Sequence, residues 1–540
     1  MVLGKLREKK AGGDNVAVAQ DEAPSFEKVN WWKEPGLRKL YWHAFVLSVA
    51  SATTGYDGRY NVLTIGDSMF FNSVQVFKSW TDYFDNPQGG TLGLLGALYQ
   101  IGSIASILTV PFLADNFGRK LPIAIGCVIM IAGAFLQGFS SSMGLFMGGR
   151  VMLGFGNSLA QISSPMLLTE ICHPQHRGRL TAVYNSLWNA GAIVETWLAF
   201  GTSYLGNEWS WRIPGIVQAL PSVIQLTFIY WVPESPRYLI AHDKSDQALN
   251  MLATYHANGN VNDPTVQFEY REIKETLAKE MEVKKSASYL DFFRTKGNRY
   301  RFFVLISLGF FSQWSGNAII SNYANKLYES AGIHGEVDKF GLSGGQTILS
   351  LIVSAGMAML VDKYGRRPMF LTSTGGMVCV LAGWTLSAGL YEQHQAPGAD
   401  KAMIFFIWLF GLFYSIAWSG LLVGYAIEIL PYKLRAKGLM VLNICVQAAL
   451  CLNTYVNPLA FDGFGENNSW KLYLIYTCWV FGELCFVYLM YVETKGPTLE
   501  ELAKVIDGDE AEVAHLNLEQ VEKEVALHQG ESNEFVEHKA

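Results

Sequence analysis

Pairs of amide side chains four residues apart recur inside apolar stretches of this sequence. Gln313 and Asn317 form one pair, and Asn157 and Gln161 form another. At 3.6 residues per turn, the two members of a pair lie on one face of a helix. An amide group both donates and accepts hydrogen bonds, so such faces suit a neutral, hydroxyl-rich ligand better than an anion or a lipophilic molecule. The alternative is that these amides only bond one membrane helix to the next.

Two acidic side chains, Asp57 and Glu195, also lie inside apolar stretches. A charged side chain at the centre of a bilayer costs roughly 2.5–3.5 kcal/mol, so such an acid usually faces a cavity and has a partner. Glu195 shares a helix face with Trp188 and Gly191, which would let it point into a cavity. For Glu195 the alternative is a bond to a neighbouring helix, and for Asp57 it is a static buried ion pair.

The elements that must position these side chains are long, apolar and numerous. Half of the 540 residues are hydrophobic and 16% are charged, whereas about a quarter of the residues are charged in soluble domains. Apolar blocks of roughly 20 residues are long enough to cross a ~30 Å hydrocarbon core as helices. We therefore predict an all-α integral membrane protein with twelve spans. The predicted spans are 42–65, 91–114, 121–140, 144–168, 182–204, 211–232, 301–323, 343–361, 368–389, 402–425, 437–459 and 470–491.

These spans divide into two six-helix bundles with polar segments around them. Basic residues concentrate in the loops after spans two, four, eight and ten, and acidic residues prevail in the opposite loop 66–90. By the positive-inside rule both termini are cytoplasmic, and the glycosylation sequon at Asn467 then lies outside. The predicted segments are a cytoplasmic N-terminal segment 1–41, an N-terminal bundle 42–232, a cytoplasmic linker with surface helices 233–300, a C-terminal bundle 301–491 and an acidic cytoplasmic tail 492–540.

Charged motifs repeat between the two halves. The sequence Asp-Asn-Phe-Gly-Arg-Lys after span two recurs as Asp-Lys-Tyr-Gly-Arg-Arg after span eight. A duplication of six helices is how carriers build two bundles that rock around a central site. The repeated charges predict ion pairs between neighbouring helices that act as a gating network, and the alternative is that they only set topology. In the first half we expect Asp115 to pair with Arg119, and Glu170 with Arg177 and Arg179. The predicted network comprises Asp115, Arg119, Glu170, Arg177, Arg179, Asp362, Arg366, Arg367, Glu428 and Arg435.

Together these motifs resemble the sugar-porter branch of the major facilitator superfamily. Besides the repeated loops, the sequence has Pro-Glu-Ser-Pro-Arg at 233–237, Glu-Thr-Lys-Gly at 493–496 and Gly149-Arg150 in span four. Val492 stands where the family usually has proline. The matches run from about residue 50 to about residue 500, and the overall pattern most resembles fungal lactose permeases and cellodextrin transporters.

The resemblance implies sugar transport across the plasma membrane by alternating access. It implies proton coupling through Asp57, with Arg150 as its counter-ion, and smaller side chains at several matched positions favour a disaccharide such as lactose or cellobiose. A passive uniporter and a sugar sensor remain as alternatives, and cytoplasmic regulators could bind the linker or the tail. Gly316 would allow a break in span seven. The remaining predicted substrate-binding residues are Asn322, Tyr323, Asn185, Trp418, Asn443 and Gln447.

Other functional classes lack support in the sequence. It contains no catalytic arrangement of His, Cys or Ser, no phosphate-binding loop and no metal-ligand spacing. The seven cysteines fall mostly inside apolar blocks and are typical of small core residues. A net charge of −6 gives no reason to expect nucleic acid as a partner. We therefore predict no enzyme activity, no cofactor and no metal site.

Overall fold

The structure is a computed structural model. It describes residues 32–57, 59–61, 64–66, 69–173, 176–286, 289–465, 468–495 and 506. Most of the predicted N-terminal segment, the sequon residue Asn467 and almost all of the acidic tail lie outside these residues.

The first half is helical apart from one short hairpin. Its elements are α1 (Pro35–Asp57), β1 (Arg59–Asn61), β2 (Thr64–Gly66), α2 (Met69–Val76), α3 (Lys78–Tyr83), α4 (Gly89–Phe117), α5 (Lys120–Gly138), α6 (Met143–Ile171), α7 (Arg177–Ser203), α8 (Trp209–Val217) and α9 (Ala219–Phe228). Between the two halves the chain forms α10 (Pro236–Ala241), α11 (Ser245–His256), α12 (Pro264–Ser286) and α13 (Asp291–Arg294). The second half consists of α14 (Lys296–Trp314), α15 (Asn317–Ser330), α16 (Glu336–Tyr364), α17 (Arg366–His394), α18 (Ala399–Ala417), α19 (Leu422–Ile429), α20 (Tyr432–Phe464) and α21 (Ser469–Met490).

Each predicted span coincides with one helix or with two consecutive helices, but the first span is wrong at its end. Helix α1 ends at Asp57, and Arg59 to Asn61 pair antiparallel with Thr64 to Gly66. The sequence of this hairpin is rich in β-branched and aromatic residues and is bounded by glycines, which favour strands and turns over a continued helix. The predicted sixth, seventh and tenth spans are each divided into two helices.

Within the described part of the chain, six helical segments are both long enough and apolar enough to cross a membrane. The six segments are Gly89–Phe117, Lys120–Gly138, Arg366–His394, Ala399–Ile429, Lys437–Phe464 and Ser469–Met490.

Small residues let the helices of the first half approach closely. A Cβ atom built on Gly154 of α6 would lie 2.0 Å from the carbonyl oxygen of Tyr99 in α4. No side chain fits there, so the backbones of α4 and α6 are in direct contact, as is common for glycines between membrane helices. This close packing places Tyr99 beside the polar residues of α6.

Candidate functional site

In the first half, polar side chains from four helices meet around the amide pair of α6. The Thr54 hydroxyl of α1 lies 3.0 Å from Asn157 Oδ1 and 2.5 Å from Gln161 Oε1. Asn157 Nδ2 donates to the Tyr99 hydroxyl of α4 over 2.7 Å, and the Tyr184 hydroxyl of α7 donates to Gln161 Oε1 over 3.4 Å. The two amides therefore share the helix face that their spacing predicts.

One donor atom of this cluster has no acceptor. Among the described residues, Gln161 Nε2 is buried and has no hydrogen-bond partner. A buried donor without an acceptor costs about 1–3 kcal/mol. A ligand hydroxyl that reached this amide would remove that cost.

Arg150 is buried beside the same cluster. It is 1% exposed, its Nε donates to the carbonyl oxygen of Leu95 over 3.3 Å, and its guanidinium carbon lies 4.7 Å from the ring centre of Phe71 and 5.2 Å from that of Tyr99. Tyr99 thus contacts both Arg150 and Asn157. The side chain of Asp57, at the end of α1, lies outside the described part of the structure, so its pairing with Arg150 stays a prediction.

Glu195 is the second acid that the sequence analysis singled out inside a span. Its side chain is fully buried in α7, and the Thr196 hydroxyl is 3.4 Å from Glu195 Oε2. Asn185 lies on the same helix, but its side chain is outside the described part. A role for either residue in binding stays a prediction.

In the second half, the helix of the seventh predicted span is broken, and backbone carbonyl groups at the break bond to side chains of other helices. Helix α14 ends at Trp314 and α15 begins at Asn317, with Gly316 between them at φ 100°. The last carbonyl groups of a helix have no partner within it. Here the Tyr414 hydroxyl donates to the Ser312 carbonyl over 2.8 Å, and Asn453 Nδ2 donates to the Gln313 carbonyl over 3.1 Å. The break predicted at Gly316 is therefore present and is held by side chains of two other helices.

Gln313 has an acceptor atom free for a ligand. Its Nε2 donates to Ser312 Oγ over 3.1 Å, whereas its Oε1 is buried and has no partner within the described residues. Asn317 is also buried, and it is the first residue of α15, four residues after Gln313. Asn443 Oδ1 is likewise buried without a partner in the described part of the chain. Both halves therefore contain buried amide atoms without a partner among the described residues.

The remaining predicted binding residues differ in what they contact. The Tyr323 hydroxyl donates to the Thr454 carbonyl over 2.6 Å, and Trp418 Nε1 donates to Thr374 Oγ1 over 3.0 Å. Both polar atoms therefore already bond helix to helix. Gln447 is fully buried in α20, and the side chain of Asn322 is outside the described part.

Asn457, Thr54 and Tyr99 belong to these clusters although the sequence did not lead us to expect them there, whereas Asn453 was one of the polar residues that it placed in span eleven. Asn457 Nδ2 bonds to Asn453 Oδ1, and the Tyr476 hydroxyl donates to Asn457 Oδ1 over 2.9 Å. Asn453 and Asn457 have the same four-residue spacing as the other amide pairs, so this signal was available. Thr54 and Tyr99 carry no such signal, because only the packing of α1 and α4 against α6 brings them to the amides.

The repeated charged motifs form the same ion pair in each half. Arg119 Nε lies 3.1 Å from Glu170 Oε2, and Arg366 Nη2 lies 2.8 Å from Glu428 Oε1. Each pair joins neighbouring helices within one half. The partners differ from those that the sequence suggested, which were Asp115 for Arg119, and Arg177 and Arg179 for Glu170. Among the other predicted network residues, the side chains of Arg177, Arg179 and Asp362 lie outside the described part. Asp115 and Arg435 take part in further interactions, and Arg367 Nη2 donates to the Tyr488 carbonyl over 2.7 Å.

A second acid caps the backbone of each motif, which the sequence did not lead us to expect. Glu234 accepts from the backbone N–H groups of Arg119, at 3.0 Å, and Lys120, at 3.4 Å. Glu493 accepts from the backbone N–H groups of Arg366, at 3.0 Å, and Arg367, at 3.1 Å. These acids belong to the two signature sequences after spans six and twelve, so each signature holds the start of α5 or α17 in place.

Comparison with known proteins identifies the family. Residues 43–506 match the family model described as "Sugar (and other) transporter". The chain belongs to this family of membrane transporters. It is 28% identical over 500 residues to a high-affinity glucose transporter of Kluyveromyces lactis. The aligned region covers 88% of this chain and 87% of that protein. It is 26% identical over 521 residues to a quinate permease of Neurospora terricola, covering 91% and 92% of the two chains.

The fold is that of the major facilitator superfamily. The inward-open structure of the xylose transporter XylE from E. coli matches with a TM-score of 0.69 at 21% identity, covering 86% of this transporter and 99% of that chain. The family is one of membrane transporters and not of enzymes. Among the described residues, no group of three or more His, Cys, Asp or Glu side chains could hold a metal ion.

Contacts between the two halves of the transporter occur at the end away from the charged motifs. A Cβ atom built on Gly93, near the start of α4, would lie 2.7 Å from the Tyr455 carbonyl oxygen of α20. The backbone N–H of Lys78 donates to Glu336 Oε1 over 3.0 Å, and the rings of Phe77 and Phe340 are 5.1 Å apart. These contacts bring the halves together tightly at that end.

Proposed function

We propose that this transporter takes up a neutral sugar, a disaccharide such as lactose or cellobiose, together with protons. The observation that carries the proposal is that each half has a buried amide atom without a hydrogen-bond partner among the described residues. These atoms are Gln161 Nε2 and Gln313 Oε1. One is a donor and the other an acceptor, and a sugar hydroxyl can serve both. The name of the Kluyveromyces lactis relative, a glucose transporter, supports a sugar as the substrate class.

We further propose that all twelve helical segments cross the plasma membrane and that both termini are cytoplasmic. In that orientation the charged motifs face the cytoplasm, and the contacts of Gly93 and Phe77 with the second half lie at the outer end. The conformation would then be closed to the outside, consistent with the likeness to an inward-open xylose transporter. Alternating access would require these outer contacts to separate while the cytoplasmic ends come together.

Asp57 is proposed as the residue that takes up the coupling proton, with Arg150 as its counter-ion. Arg150 is almost fully buried, and an acid at the end of α1 could neutralise it in one conformation and bind a proton in another. We expect Asp57→Asn to abolish accumulation of sugar against a gradient and to leave downhill exchange intact. Asp82→Asn, the same change at an exposed acid, serves as the control and should leave both activities intact. Loss of surface expression in Asp57→Asn would instead support a static ion pair.

Uptake of radiolabelled lactose and cellobiose in transport-deficient yeast expressing the full chain tests the function. The assay is run at acidic and at neutral pH, with and without a protonophore, and with glucose, xylose and quinate as competitors. Uptake that rises at acidic pH and collapses with the protonophore supports the symport. Uptake that responds to neither indicates a uniporter.

Other outcomes of the same assay would change the proposed substrate or the proposed function. Uptake of glucose but of neither disaccharide would contradict the disaccharide proposal. Competition by quinate alone would contradict the neutral-sugar proposal. If no sugar enters although the protein reaches the cell surface, a sugar sensor becomes the better reading.

A further inference from the structure

A cavity outside the proposed sugar pathway lies where α1 begins and α9 ends. Its volume is about 650 Å³, and its lining includes Arg38 and Lys39 of α1 together with Trp42, Phe228 and Trp231. This volume is within the range of pockets that hold small ligands, about 300–1,000 Å³. The cavity therefore has room for a molecule, and its lining combines cations with aromatic rings.

The two cations are available to a ligand. Arg38 and Lys39 are both exposed, and within the described part of the chain neither side chain forms an ion pair. The nearest acid in sequence, Glu34, accepts a hydrogen bond from the Asn258 side chain of the linker instead. A third cation, Lys120, is close by, because its Nζ donates to the carbonyl oxygen of Tyr230 over 3.0 Å.

The aromatic side chains place this cavity at the membrane surface. Trp42 and Trp231 are 52% and 60% exposed. The ring of Phe228 lies between them, at 5.7 Å from Trp42 and 6.0 Å from Trp231. Exposed tryptophans at the ends of membrane helices are typical of the headgroup region of a bilayer. The cavity therefore opens where lipid headgroups lie, with apolar rings on the side where acyl chains begin.

We propose that this cavity binds the headgroup of an anionic glycerophospholipid. Arg38 can bond a phosphate through two N–H groups, Lys39 supplies a second charge, and the aromatic rings cover the glycerol and the start of the acyl chains. Cations beside helix ends attract anionic lipids in this way. The proposal goes beyond sugar transport, and only the choice of the cytoplasmic leaflet rests on the orientation proposed above.

The test is native mass spectrometry of the purified full chain after exchange into micelles that contain phosphatidylserine or phosphatidylcholine with the same acyl chains. Wild-type protein should retain phosphatidylserine preferentially, and this preference should weaken at high salt. Arg38→Gln with Lys39→Gln should reduce phosphatidylserine affinity roughly 25-fold, about fivefold for each cation lost, because each contributes to attraction by an anionic headgroup. The matched control, Lys244→Gln with Lys274→Gln, removes two exposed cations of the segment between the two halves and should retain the lipid as wild type does.

Several results would overturn the proposal. One is equal retention of phosphatidylserine and phosphatidylcholine by wild-type protein, which would indicate an apolar groove without headgroup selection. Another is equal loss in the control variant, which would indicate general surface charge. A third is retention by the Arg38 and Lys39 variant at the wild-type level.

The Gln side chains are exposed and keep most of the original length, and an unchanged thermal transition without added lipid confirms that the variant is folded. The assay requires no transport, so its result is independent of the proposed substrate.

Discussion

The break between α14 and α15 can be tested through one glycine. Gly316 has φ 100°, a conformation that L-residues other than glycine rarely adopt. A Cβ atom built there would be 3.6 Å from the Phe410 ring, which is ordinary van der Waals contact. Gly316→Ala therefore creates no steric overlap, and its cost is the backbone strain alone, about 1–2 kcal/mol. The substitution should favour rearrangement of the segment that carries Gln313 and Asn317.

For a bundle of this size, that cost corresponds to a fall in thermal midpoint of roughly 2–8 °C. We expect this fall for Gly316→Ala in purified protein, and an increase of up to about tenfold in KM for sugar uptake, because 1.4 kcal/mol is a factor of ten in affinity. Gly424→Ala is the matched control, since Gly424 lies inside α19 and a Cβ atom there would meet nothing within 4 Å. Gly316→Asn should lose less stability than Gly316→Ala, because asparagine tolerates positive φ better than alanine.

The measurements are thermal unfolding in detergent and the concentration dependence of uptake in cells. The reasoning fails if Gly316→Ala unfolds at the wild-type temperature with an unchanged KM. It also fails if Gly424→Ala is equally damaging, because the loss would then reflect any added methyl group and not the backbone at the break.

Three further predictions address the capping acids, the contact between the halves and the first-half amide. Glu234→Gln and Glu493→Gln should each lower thermal stability by about 1–2 kcal/mol, because each weakens charge-assisted bonds to two backbone N–H groups; unequal losses in the two halves would contradict the shared role. Gly93→Leu should reduce uptake at least tenfold at normal surface expression, because its side chain would overlap a facing backbone. Gly144→Leu, in open space near the start of α6, should not reduce uptake. Gln161→Ala should raise the KM for sugar about tenfold through loss of one buried hydrogen bond, and an unchanged KM would remove this residue from the proposed site.

The repeated charged motifs contain both features that local sequence predicts and features that depend on the folded chain. The duplicated loops were enough to predict charged residues that pair between neighbouring helices, but not the partners. The sequence suggested Asp115 as the partner of Arg119, whereas Arg119 pairs with Glu170 and, in the second half, Arg366 pairs with Glu428. The role of Glu234 as a cap could not be predicted. Its partners are backbone N–H groups more than a hundred residues away, and the backbone gives no residue-specific signal in the sequence.

The sequence by itself determined the helices, the two halves, the motifs and the break at Gly316. These features depend on local information: the length of apolar runs, the spacing of amides on a helix face and the exceptional conformational freedom of glycine. Only the tertiary structure decided which polar groups have a hydrogen-bond partner in another helix and which have none among the described residues. Trp418 and Tyr323 bond to other helices, whereas Gln161 and Gln313 each keep a buried atom without a partner among the described residues. The physical reason is that a hydrogen bond between helices depends on their relative rotation and distance, which long-range packing sets.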